Sequence, residues 1–236
     1  MKKEWNWKNI AFQLKIGIAG AIIILIGDML MGYGLKDLSK SGIEGQLSQY
    51  LSLSDTRMLI AAICGFSGVP LAVIGHCGIY QLMKPSSLNY ARMYGLGNLC
   101  FLAFGGAGVH VSSVEAAYFY KYMSASGTAS AFDLSIRFAS YFLVPLYIIL
   151  LIGWAIMVYA HIRVIVGNNS SFPRWFWIFS MPVGSLLFSV VGLLGNYEVV
   201  NAIMVGAFSL GNIWCLAGHL WFVNKRKEAK KKLFHV

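Results

Sequence analysis

Apolar residues in this chain come in long blocks rather than at the alternating period of a half-buried strand. Six blocks stand out, at about 11–34, 58–83, 91–121, 138–165, 175–197 and 199–223. Roughly 20 mostly apolar residues carry an α-helix across the hydrocarbon layer. With no water in that layer, only a helix or a closed barrel satisfies its own backbone. The blocks predict an all-α fold: a bundle of six transmembrane helices over residues 1–224, followed by a basic tail over 225–236.

The polar stretches between blocks read as connections. "LKDLSKSGIEGQLSQYLSLSDTR" (35–57) predicts an interfacial loop that ends with Ser54 as a helix N-cap. "SASGTASAFDLS" (124–135) predicts a small-residue loop, and "GNYEVVN" (195–201) a tight turn. Pro70, Pro145 and Pro182 fall inside spans two, four and five, where a missing N–H predicts kinks and room for a cavity. Pro173, with Arg174, Trp175 and Trp177, predicts an anchored start to span five. Most glycines lie within the spans, as close helix packing in lipid requires.

Composition agrees. The chain is 58% hydrophobic and 12% charged, against about a quarter charged in soluble domains. The net charge of +10 raises nucleic acid as a partner, but its distribution argues for topology. Of 19 Lys and Arg, 14 lie at the two ends and after spans two and four, and five lie in the other connections. The positive-inside rule then puts both termini in the cytoplasm of a multi-pass protein of the cell membrane. No nucleic-acid motif accompanies the bases, and the basic tail reads either as a solvated topology anchor or as a binder of anionic lipid. The apolar stretch near the N-terminus is too long for a signal peptide and reads as a retained helix. Cys64, Cys77, Cys100 and Cys215 all lie in apolar blocks without metal or disulfide spacing, which predicts small buried hydrophobes and no cofactor.

One residue conflicts with an apolar bundle. Asp28, in "LIGDMLMGYG" (25–34), would cost about 2.5–3.5 kcal/mol at the centre of a bilayer. The other polar residues in the spans are His76, Asn98, His110, Asn212 and His219, with Glu115 near one end. At about 1.5 Å per residue, Asp28 and His110 both lie roughly 25–29 Å from the cytoplasmic end, and His76, Asn98 and His219 roughly 6–11 Å. Ligands of one zinc lie about 2 Å from it, so three histidines at two levels do not predict a shared metal. Two layers are expected instead. Asp28 and His110 form an outer pair, with Glu115 at its rim and Tyr33, Tyr118, Asn196 and Glu198 near its mouth. His76, Asn98 and His219 form an inner layer, the two histidines facing each other. His161 and His235 are expected to face headgroups or solvent.

An Asp–His pair can bind a ligand or move a proton. The first expectation is a pocket open to the outer face for a small or amphiphilic, lipid-like molecule, anchored by Asp28 and His110, with Glu115, Tyr118 and Glu198 contributing. The alternatives are a lipid-modifying enzyme with Asp28 and His110 as catalytic residues, and a proton-coupled transporter.

An aspartate with three histidines is similar to the inventory of seven-helix zinc hydrolases of the ceramidase and adiponectin-receptor type, although helix count and spacing differ. Six spans, Gly27-Asp28 late in the first, and "FPRW" (172–175) ahead of Met181-Pro182 resemble uncharacterised bacterial six-helix membrane proteins. That resemblance implies the fold and no activity. "GDMLM" (27–31) and "GHCGIY" (75–80) resemble the Gly-Asp and His-Tyr motifs of lysoplasmalogenase-type membrane hydrolases, which would imply Asp28 and His76 as catalytic, here at a longer spacing.

Overall fold

The structure, a computed structural model, describes residues 6–233, with side chains as far as 229. Lys2, Lys3 and His235 lie outside the described residues, as do the side chains of the last tail lysines. All regular structure among the described residues is helical. Asn6 opens α1 (Trp7–Gly32) by accepting from the Asn9 amide at 3.1 Å. The connection that follows holds a short helix, α2 (Gly42–Leu47), and a 3₁₀ turn (Ser48–Ser52). Ser54 then caps α3 (Asp55–Met83) as expected, accepting from the Arg57 amide at 3.3 Å.

The third block is continuous but not uniform. α4 (Leu88–Phe104) passes through a π-helical stretch (Gly105–His110) into α5 (Val111–Ala125). The fourth block divides at Leu143 into α6 (Ala131–Phe142) and α7 (Val144–Val166). Pro145 sits in the first turn of α7, where its missing N–H interrupts nothing. Pro182 likewise sits in the first turn of α8 (Met181–Ser189), so of the three expected kink sites only Pro70 lies in a helix interior.

Span counting changes accordingly. Four helical segments are long and apolar enough to cross a membrane: α1, α3, Leu88–Ala125 and α7. A fifth follows if α9 (Glu198–Val205) and α10 (Ala207–Leu233), bent by 59° at Gly206, form one broken span. The block expected as span five is made of short pieces: a 3₁₀ turn (Arg174–Phe179), α8, and a second 3₁₀ turn (Val190–Leu194). Its apolar helix, Met181–Leu194, rises only about 21–24 Å. Several long apolar helices fit a membrane-embedded protein.

Small residues bring the helices together. A side chain on Gly17 of α1 would strike the Gly75 backbone of α3, and one on Gly20 would strike Ala72. Gly97 and Gly153 do the same for α4 and α7, and Gly184 and Gly211 for α8 and α10. At the C-terminal end of α1, Arg57 donates to the Leu30 and Tyr33 carbonyls at 2.7 and 2.8 Å, satisfying acceptors the helix leaves open. Lys121 of α5 reaches Asp55 at 2.6 Å and the Leu53 carbonyl at 2.7 Å. The turn into α9 uses Gly195 at φ 105°, a conformation that glycine adopts without strain. Asn201 then donates to the Gly34 carbonyl at 2.8 Å, tying this turn to the end of α1. In the α1–α3 connection, the Ser39 hydroxyl and amide donate to Asp37 and hold its carboxyl below its usual range.

Candidate functional site: an Asp–His pair at a cavity between helices

Asp28 lies on α1, one turn before its C-terminal end. Opposite it the chain departs from regular helix. "GGAG" (105–108) is a run of poor helix formers, and there the backbone widens into the π stretch that ends at His110. Such stretches are frequent at functional sites. His110 enters a slot in the α1–α3 interface that exists because Gly65 and Gly27 have no side chains. A Cβ on Gly65 would collide with the imidazole, and one on Gly27 would lie 3.3 Å from its Nε2.

In that slot both ring nitrogens meet oxygen. Nε2 is 2.9 Å from the Ala61 carbonyl, and Nδ1 is 3.3 Å from Asp28 Oδ1. The other carboxylate oxygen, Oδ2, accepts from the Ser209 hydroxyl at 2.5 Å. A carbonyl only accepts, so His110 Nε2 carries a proton. One further proton then lies between Nδ1 and Oδ1. It makes either an imidazolium beside a carboxylate or a neutral imidazole beside a carboxylic acid. The side chains are only 11% (His110) and 16% (Asp28) exposed, so the aspartate is shielded and paired.

The pair does not close on itself. Both residues line a cavity of about 270 Å³, together with Ser113, Ser209, Asn212 and Trp154 among its polar side chains. The remaining wall is mainly aliphatic and aromatic, from α1, α3, α4, α7 and α10. Both irregular segments border it: the π stretch supplies Gly105, Val109 and His110, and the break at Gly206 is flanked by the lining residues Val205 and Phe208. Broken helices at membrane depth are tolerated where they line a cavity. Trp154 packs on Phe208 with ring centroids 5.5 Å apart, and its buried Nε1 is without a hydrogen-bond partner among the described residues.

The expected rim residues lie elsewhere. Helical periodicity turns Val114 and Ala117 of α5 inward and Glu115 and Tyr118 outward, and Glu198 is exposed in the first turn of α9. Glu115, Tyr118 and Glu198 do not line the cavity. Tyr118 packs against Tyr122 with tilted rings whose centroids are 4.4 Å apart, and Asn196 donates to the Lys36 carbonyl at 3.0 Å.

The inner layer is rearranged. His76 and His219 do not pair. His76 is bonded to Tyr94 Oη at 2.6 Å and to Asn212 Oδ1 at 2.8 Å, so Asn212 joins the cavity to this layer. His219 pairs with His161, Nε2 to Nε2 at 3.0 Å. Its Nδ1 donates to the Cys215 carbonyl at 2.7 Å, so with a neutral ring its Nε2 accepts from His161. The expectation that His161 faces headgroups is therefore wrong: it is buried. Phe172, Phe176 and Phe222 pack around His219, because the 3₁₀ turn at Arg174–Phe179 folds its aromatics over this end of α10. Asn98 donates to the Val73 carbonyl at 3.2 Å rather than bridging histidines. Among the described residues no three His, Cys, Asp or Glu side chains converge as a metal-ligating group.

Of these residues, sequence reading missed Trp154, Ser209 and the role of Asn212. A tryptophan in mid-span, away from the interfacial belts, is a signal that could have flagged Trp154.

Residues 1–226 match the profile of a family of unknown function, DUF6796. The chain belongs to that family. No curated protein and no solved structure matches the chain. The family accounts for nearly the whole chain and supplies no activity, so the function rests on the site.

Proposed function

We propose that this protein is a six-pass protein of the cytoplasmic membrane, both termini inside, whose cavity binds a small or amphiphilic molecule with Asp28 and His110 as polar anchors. One observation carries the reading: an ionisable pair, costly in a membrane, faces a cavity with an otherwise largely apolar wall. A purely structural pair would be sealed by packing. Convergent polar groups in an apolar recess are the usual composition of a small-molecule site. Ser209 and Asn212 take the place of Glu115, Tyr118 and Glu198 as the further contacts. Lipids of the surrounding membrane are the natural source of the ligand, and the basic tail supplies affinity for anionic headgroups.

The test is recovery of a bound molecule. Purified protein analysed by native mass spectrometry should carry a small adduct that is lost in Asp28→Asn while the variant remains folded and monodisperse. Retention of the same adduct by Asp28→Asn, or its absence from the parent, would refute the reading.

The shared proton favours a second reading, in which the pair serves an acid–base step on the bound molecule. Turnover of a recovered lipid, lost in Asp28→Asn, would support a lipid-modifying enzyme. Flux in proteoliposomes that follows a pH gradient would support a proton-coupled transporter.

A further inference from the structure

We infer that the ligand of this cavity is an uncharged amphiphile carrying a hydroxyl, entering sideways from the membrane with its polar end at the Asp28–His110 pair. This deepens the binding reading and rests on it. Three observations carry it.

The first is charge. Asp28 and His110 are the only acidic or basic side chains among those lining the cavity. Two acceptors face the two ring nitrogens, so the pair holds one proton beyond that on Nε2, wherever it sits. The pair is then electrically neutral in both arrangements. A charged headgroup would find no counter-charge there, and an unpaired charge in a low-dielectric site is strongly disfavoured.

The second is hydrogen-bonding capacity. Asp28 Oδ2 is occupied by Ser209 and His110 Nε2 by Ala61. Each carboxylate oxygen of Asp28, which lines the cavity, keeps a further lone pair. Its complement is an uncharged donor such as a hydroxyl.

The third is access. Tyr147 and Leu151 line the cavity yet are 48% and 39% exposed on the outward face of α7. The cavity therefore opens through the side wall of the bundle beside α7. In the proposed topology Leu151 lies inside span four, about 10 Å along α7 from its start, where the neighbour is hydrocarbon rather than water. An acyl or isoprenoid chain can lie through this opening while the polar end reaches the pair.

The experiment uses the full chain in nanodiscs and three probes of equal chain length: a monoacylglycerol, the corresponding fatty acid, and the corresponding alkylammonium. Competition read by native mass spectrometry should rank the monoacylglycerol about tenfold or more above both charged probes. His110→Gln leaves Asp28 without its counter-charge and should raise alkylammonium binding relative to the parent, a change that loss of packing alone does not produce. A parent protein that binds either charged probe as tightly as the monoacylglycerol overturns this inference and leaves the binding reading standing. Binding of none of the three, in a protein that remains folded, overturns both.

Discussion

Gly65 and His110 compete for one space: a Cβ on the glycine would collide with the imidazole ring. The histidine reaches Asp28 because an α3 residue gives up its side chain. Gly65→Ala should expel the ring, separate it from Asp28 and the Ala61 carbonyl, and destabilise the protein by about 1–3 kcal/mol, the usual cost of overpacking. Gly95→Ala is the control, since its Cβ would meet only the Tyr80 ring at an ordinary 3.5 Å. That variant should be as stable as the parent or up to about 1 kcal/mol more stable, through helix propensity. Reversible unfolding in detergent measures both, and equal stabilities would refute the slot.

Asp28→Asn should fold. An asparagine can accept from Ser209 through its oxygen and donate to His110 Nδ1 through its nitrogen, leaving both neighbours satisfied without the shared proton. Its stability should lie within about 1 kcal/mol of the parent, as when an ion pair is replaced by matched neutral groups. Asp28→Leu strands both partners and should cost about 1–3 kcal/mol. If Asn proves as damaging as Leu, the hydrogen-bond assignment is wrong.

The buried histidines make a separable forecast. His161 and His219 bond directly, while His76 bonds Tyr94 and Asn212. A double-mutant cycle with leucine at 161 and 219 should give a coupling of about 0.6–1.7 kcal/mol, the range for interhelical hydrogen bonds in membranes. The 76/219 cycle should fall below about 0.5 kcal/mol. The reverse order would restore a facing 76–219 pair.

Orientation is open to direct labelling. With both termini inside, a cysteine at Ser126 should react with an impermeant maleimide added to intact cells. One at Asn168 should react only after the membrane is opened. Reversed accessibility would invert the topology and place the cavity in the other leaflet.

From the sequence alone came the helical class, the apolar segments that suit a membrane, the Ser54 cap and the conflict at Asp28. Each depends on local composition or spacing. The meeting of Asp28 with His110 was also legible, because counting residues along two opposed helices puts them at the same depth. Rotation was not. The spans are apolar on nearly every side, so no polar stripe shows which face turns inward; on α5 only the fold shows Ser113 lining the cavity and Glu115 outside it. Glycine contacts such as Gly17 on Gly75 set the rotation, and these are relations between helices rather than features of either one. His161 shows the same limit. Two residues from Arg163, near the end of α7, it has the sequence surroundings of a headgroup-facing side chain. Burial comes from α10, which supplies His219 as its partner, and from the 3₁₀ turn that folds Phe176 over that pair. The fifth block shows a related limit: hydropathy measures how many residues are apolar, and only the fold shows that they are wound as α8 between two 3₁₀ turns. The cavity belongs wholly to the tertiary structure, since it lies where a π stretch and a broken helix keep α1, α7 and α10 from closing on one another.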